Sequence, residues 1–115
     1  FSQTTKSEIN LVVNTHFNLF NEYRITQNTP KLQLNNKLCE LAQQWAEHMY
    51  NNNKLVHSKY PYPENIYWQS YPDSIAFRSL DSWILSPGHN KNMLAPLYES
   101  IGIGFYNGYG VQIFE

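Results

Sequence analysis

An α+β domain, with helices packed over a small sheet, is the architecture this chain of 115 residues predicts. Three observations carry it. Hydrophobic residues recur at helical spacing through two stretches of the first half and one of the second. The chain then closes on an alternation of apolar and small residues, with Asn107-Gly108 between two such runs, a strong hairpin signal. A hairpin alone is marginally stable, so the sheet must recruit the extended run near Ile66.

Ile9, Val12, Val13, His16, Phe17 and Phe20 set the first stripe and place an amphipathic helix over about residues 5–25. His16 lies on its apolar face and reads as a core histidine with satisfied hydrogen bonds rather than as a ligand. Residues 26–34 break the pattern, with Pro30 marking a loop. Asn35 or Asn36 caps a second helix with the stripe Leu38, Leu41, Ala42, Trp45, Ala46 and Met49. Cys39 adjoins that stripe and reads as a small buried thiol, while His48 falls on the surface. The helix frays at Asn51 to Asn53 and leaves His57 in a loop, which Pro61 and Pro63 stiffen ahead of Glu64. Asn65 to Gln69 reads as a short extended segment. Asp73 or Ser74 opens a third helix with Ala76, Leu80, Trp83 and Ile84 inward. Pro87 ends it, Pro87-Gly88 turns the chain before His89, and a short helical piece carries Asn90 to Leu94. In the closing hairpin, Gly102 and Gly104 leave one strand face bare, so a helix packs closely there or a ligand fills the groove.

Composition narrows the function classes. The length suits a single domain, residues 1–115. Eight Lys and Arg against nine Asp and Glu give a net charge of -1, with no basic footprint for nucleic acid. No run reaches the length of a membrane span. Cys39 is the single cysteine, which excludes an internal disulfide and a cysteine-based metal cluster. The segment begins at Phe1 without a signal-like apolar run, which is compatible with a removed export signal or an upstream lipid anchor.

The residues with chemistry to offer are His57, Glu64 and His89. Two imidazoles and a carboxylate are able to hold a divalent ion such as zinc, or to move protons near neutral pH. Their spacing matches no local metal signature, and the alternative is that each histidine merely closes a loop. Ser58, directly after His57, is poorly placed to serve as its nucleophile. Ser86 lies beside Pro87-Gly88-His89 but lacks a nucleophile elbow. Tyrosines from Tyr60 to Tyr71 either line a cleft or fill the surface around the prolines.

Taken in order, Asn21-Glu22-Tyr23-Arg24, Leu38 through Ala46, His57-Ser58, Glu64-Asn65-Ile66, Trp83 through Asn92 and Tyr98 through Gly104 closely resemble the CAP superfamily. That family comprises cysteine-rich secretory proteins, antigen 5 and pathogenesis-related protein 1, and its domain is also called SCP. The run Trp83-Ile84-Leu85-Ser86-Pro87-Gly88-His89-Asn90-Lys91-Asn92 is similar to the bacterial branch, and the resemblance covers roughly residues 8–115. It implies a three-layer α-β-α sandwich with a central antiparallel sheet flanked by helices. It also implies a cavity with two histidines and usually two glutamates, the histidines binding zinc or another divalent cation in several members. His57 and His89 match the histidines and Glu64 one glutamate, while Ser86 stands where the second glutamate usually lies. The expected cleft is therefore His57, Glu64, Ser86 and His89, with His57 and His89 as metal ligands.

The resemblance implies a secreted or cell-surface protein. Its expected role is non-enzymatic binding of an extracellular protein or small ligand, with a divalent-metal site in the cleft. One alternative is a metal-assisted, peptidase-like hydrolase in which Glu64 is the general base; the other is lipid or sterol binding between the helices.

Overall fold

Each hydrophobic stripe becomes a helix, and the first two open on a side-chain cap. In the computed structural model, which describes residues 5–71 and 73–115, α1 spans Lys6–Thr26. Residues 1–4 of the expected domain and position 72 lie outside the described residues. The Thr5 hydroxyl oxygen accepts from the Glu8 amide at 3.2 Å and caps α1, whose buried face is Val13, His16, Phe20, Asn21 and Arg24. The Asn35 side chain accepts from the Leu38 amide at 2.9 Å and opens α2, Asn36–Asn51. Between them lies a strand absent from the sequence reading: β1, Gln33–Leu34, inside the expected 26–34 loop.

The remaining elements are β2 (Glu64–Trp68), α3 (Ile75–Leu85), α4 (Pro87–Leu94), β3 (Ser100–Tyr106) and β4 (Tyr109–Phe114). Two boundaries differ from expectation. The middle strand starts one residue earlier, at Glu64, because Glu64 pairs with Ile113. Pro87 both follows α3 and opens α4 at its first position, where a missing N–H costs nothing. His89 therefore sits in the first turn of a helix rather than in a turn before one. Asn107 and Gly108 both take positive φ, 43° and 92°, as a two-residue hairpin with matching twist requires.

The four strands run in the order β1-β3-β4-β2. β3-β4 and β4-β2 pair antiparallel, and β1 adds a parallel edge through Gln33↔Ser100 and Leu34↔Ile101. Strand alternation then divides the core into two layers. Ile101, Ile103, Phe105 and Phe114 pack with Val13, Phe20, Leu80 and Trp83, from α1 and α3. Ile66, Val111 and Ile113 pack with Leu38, Ala42, Ala46 and Met49, from α2. The chain is an α-β-α sandwich.

The bare face of β3 is filled by α2. A Cβ at Gly102 would lie 2.2 Å from the Leu38 carbonyl carbon, and one at Gly104 would lie 2.3 Å from the Gln43 amide nitrogen. Helix and strand thus touch backbone to backbone. Cys39 is only half-buried, contrary to its reading as a core thiol, because it stands on the flank of α2 above the β3 edge. Leu41 and Trp45 are likewise half-buried at the border of their layer.

Candidate functional site

The site grows from two consecutive residues of β2. Glu64 shares its face with Ile66 and α2, whereas Asn65 shares the opposite face with Tyr67 and α3. Each holds one histidine-bearing segment.

Glu64 binds the loop on the α2 side. Its Oε1 accepts from His57 Nδ1 at 2.8 Å and from the Ser58 amide at 2.9 Å, and its Oε2 accepts from the Ser58 hydroxyl at 2.5 Å. The Glu64 side chain is 5% exposed while that of His57 is 62% exposed. A carboxylate only accepts, so His57 Nδ1 carries the hydrogen of this contact. Ser58 is therefore a brace for Glu64, a role the sequence reading did not assign.

Asn65, wholly buried, binds the α4 side. Its Nδ2 donates to the His89 carbonyl at 3.1 Å and to Gln112 Oε1 at 3.0 Å, and its Oδ1 accepts from Asn92 Nδ2 at 2.9 Å. The end of α1 holds the same helix. Tyr23 donates to Asn90 Oδ1 at 2.6 Å, and Arg24 donates to the Met93 and Ala95 carbonyls at 2.7 and 3.2 Å. Those carbonyls form the negative end of α4, which accounts for a guanidinium buried without a carboxylate. His89 is thus carried on a helix pinned at both ends, and its Nδ1 lies 2.8 Å from Ser86 Oγ. Burial lowers the His89 pKa below the usual histidine value, and the nearby charge of His57 lowers it further, so the ring is neutral at neutral pH.

Of the expected cleft residues, His57 contacts Glu64 and Ser86 contacts His89, and the two histidines interact electrostatically. Both Glu64 oxygens are engaged by His57 and Ser58. Among the described residues, no three His, Cys, Asp or Glu side chains are grouped to hold a metal. With His57 Nδ1 bonded to Glu64 and His89 Nδ1 beside Ser86 Oγ, Nε2 is the nitrogen each ring would offer a divalent ion. That arrangement fits outer-sphere support of two ligating histidines. It falls short of the three protein ligands usual for catalytic zinc.

Sequence reasoning missed Asn65 and Gln112 as organisers of the site. The available signal was a glutamine between Val111 and Ile113 in a strand buried at every position. His16 is the core histidine expected from its stripe: Nδ1 donates to the Ala76 carbonyl at 2.9 Å and Nε2 lies 2.9 Å from Gln112 Nε2. A separate groove of about 720 Å³ runs between α1 and α2, with Ile9, Val13, Leu34 and Ile103 in it and Lys6, Glu40 and Glu47 among its polar lining. It includes neither His57 nor His89.

The domain known as CAP, the cysteine-rich secretory protein family, matches residues 17–114 of this chain. Among curated proteins, none matches it. Three solved bacterial structures share the fold. An extracellular protein of Bacillus anthracis containing an SCP domain superposes with a TM-score of 0.83 at 24% identity, covering 99% of this chain and 44% of that one. An outer surface protein of Borrelia burgdorferi gives 0.79 at 14% identity over 99% of this chain and 97% of that one. A cysteine-rich secretory protein of Staphylococcus aureus gives 0.71 at 17% identity, covering 96% and 40%. The chain thus spans less than half of the first and third of these proteins. With the family matched over residues 17–114 and the fold shared with an SCP-domain structure, this chain belongs to the CAP family, the cysteine-rich secretory proteins.

Proposed function

We propose that this chain is a non-enzymatic binding domain that works outside the cell, and that the His57–His89 cleft is its recognition surface. The observation that carries this reading is the state of Glu64. It is the residue a metal-assisted hydrolase would use to activate water. Its carboxylate is turned inward and takes three hydrogen bonds, all from His57 and Ser58. The second carboxylate position holds Ser86, whose hydroxyl is engaged with His89. The groups left for recognition are the two imidazoles and, next to His57 in the chain, the side chains of Leu55 and Val56, 51% and 40% exposed. Trp45 Nε1 donates to the Val56 carbonyl at 2.8 Å and steadies that apolar pair. One of the two imidazoles and an apolar pair thus share one loop.

An extracellular setting is supported by the surface and extracellular relatives, and no helix among the described residues is long and apolar enough to cross a membrane. Attachment through an upstream lipid anchor accords with the same setting. The α1–α2 groove supports lipid binding less well, since carboxylates and amides share its lining with the apolar floor.

Zinc titration by calorimetry on metal-free protein tests the cleft, with His57→Ala/His89→Ala as control. The expected result is weak one-to-one binding that the double variant lacks, without zinc-stimulated cleavage of peptides or esters. Zinc-dependent turnover that disappears in Glu64→Gln would replace this reading by the hydrolase. Co-purifying lipid that survives the double variant would place the ligand in the α1–α2 groove instead.

A further inference from the structure

A continuous line of buried polar groups runs from the core under α1 to the carbonyl of His89. His16, Gln112 and Asn65 are each fully buried. The Ala76 carbonyl can only accept, so His16 Nδ1 must donate and His16 Nε2 must accept. That requires the amide nitrogen of Gln112 to face His16, at 2.9 Å, and turns its oxygen toward Asn65, at 3.0 Å. The Asn65 nitrogen then faces both Gln112 and the His89 carbonyl, and its oxygen faces Asn92. Every amide in the line has a unique orientation, set at one end by the Ala76 carbonyl and at the other by the His89 carbonyl.

We propose that His16 is a positioning residue of the cleft: by accepting from Gln112 it sets the amide polarity that makes Asn65 hold the first turn of α4. The inference rests on the reading of the His57–His89 cleft as the recognition surface. His16 touches nothing in that cleft. It meets Trp83 and Phe105 edge-on, with ring centroids 5.6 and 5.1 Å away, and Ser79 Oγ lies 3.4 Å from its Nδ1. A side chain held only for packing needs no acceptor at Nε2. Here the acceptor is matched to a donor that has no other hydrogen-bond partner among the described residues. Without it, one hydrogen of the Gln112 amide is orphaned in the core, and the amide gains a reason to turn. A turned Gln112 would set nitrogen against nitrogen at Asn65. The His89 carbonyl, three hydrogen bonds from His16, would then lose its donor or share it.

The test is amide hydrogen exchange in His16→Leu and His16→Gln, read without any added ligand so that its result is independent of what the cleft binds. The β3–β4 amides report global stability, and the α4 amides, among them Asn90 bonded to the Ser86 carbonyl, report the pinned turn. The expected result for His16→Leu is exchange in α4 about tenfold faster relative to β3–β4, the scale of one hydrogen bond lost. The loop 52–63 should keep its wild-type ratio, and His16→Gln, which retains an acceptor, should restore most of the α4 protection. Equal acceleration of α4 and β3–β4, or none in either, would overturn the proposal and leave His16 a core filler. Should His16→Leu fail to fold, Asn92→Ala perturbs the line from its half-buried end. The expected outcome is then a changed nitrogen chemical shift at His16 Nε2, and an unchanged one overturns the proposal equally.

Discussion

His16 places a titratable ring where no water reaches, and burial pushes its pKa down from 6.5 to about 4. The hydrogen bond to the Ala76 carbonyl opposes that shift without cancelling it. The unfolded chain therefore binds the proton first. Stability carried by neutral His16 is whole above pH 6.5, falls as the pH drops, and is exhausted near pH 4. The expected loss across that window is on the order of 3 kcal/mol. Urea unfolding of wild type and His16→Gln at several pH values checks it: the variant should show a flatter decline, and parallel curves would refute the assignment. Trp83 is the second residue whose burial makes a clear demand. It is 1% exposed and donates from Nε1 to the Ile66 carbonyl at 3.0 Å, which also caps the outer edge of β2. Trp83→Ala should cost about 3–5 kcal/mol from cavity formation, read as a lowered Tm, with zinc affinity of the remaining folded protein unchanged.

At the scale of elements, the contact between α2 and β3 governs the sandwich. Gly102 and Gly104 let the helix backbone rest on the strand, and Gly104→Ala has nowhere to put a methyl 2.3 Å from the Gln43 nitrogen. That substitution should destabilise by at least about 1–3 kcal/mol, because α2 must move outward along its length. Gly88→Ala, with no atom within 4 Å of the added carbon, serves as the neutral control for the unfolding measurement. Beyond its pairing with β1, the outer edge of β3 is finished by α2. Gln43 accepts from the Phe105 amide at 3.0 Å and donates to its carbonyl at 2.8 Å, in the manner of a strand neighbour. These relations explain which elements were legible in the sequence. Helices and the hairpin announce themselves by period and turn residues, which are local. β1 is two residues long and exists only because β3 passes beside it, so no periodicity could betray it. Pro87 is locally ambiguous in the same way, since proline both stops one helix and starts the next.

Across the whole molecule, β2 is the divide on which the cleft is built. The sequence named His57, Glu64, Ser86 and His89, but not that consecutive residues of one strand would hold the two histidines from opposite faces. That alternation is visible only once Glu64 is known to pair with Ile113 and Asn65 with Gln112. The partner of Asn65 lies in β4, forty-seven positions along the chain, beyond the reach of any local pattern. Two independent anchors imply two independently loosened walls. In Glu64→Gln, the amide group replaces an acceptor of three hydrogen bonds with one oxygen and one donor, and the His57–Ser58 turn loses at least one partner. Exchange of the amides in residues 52–63 should then rise several-fold while α4, held by Asn65, Tyr23 and Arg24, keeps its wild-type protection. A common acceleration of the loop and α4 would mean that the two walls form one cooperative unit and that β2 does not insulate them. Loop-only acceleration would let the His57 wall adjust to a bound partner while the His89 wall stays fixed, a division of labour suited to a domain that recognises rather than reacts.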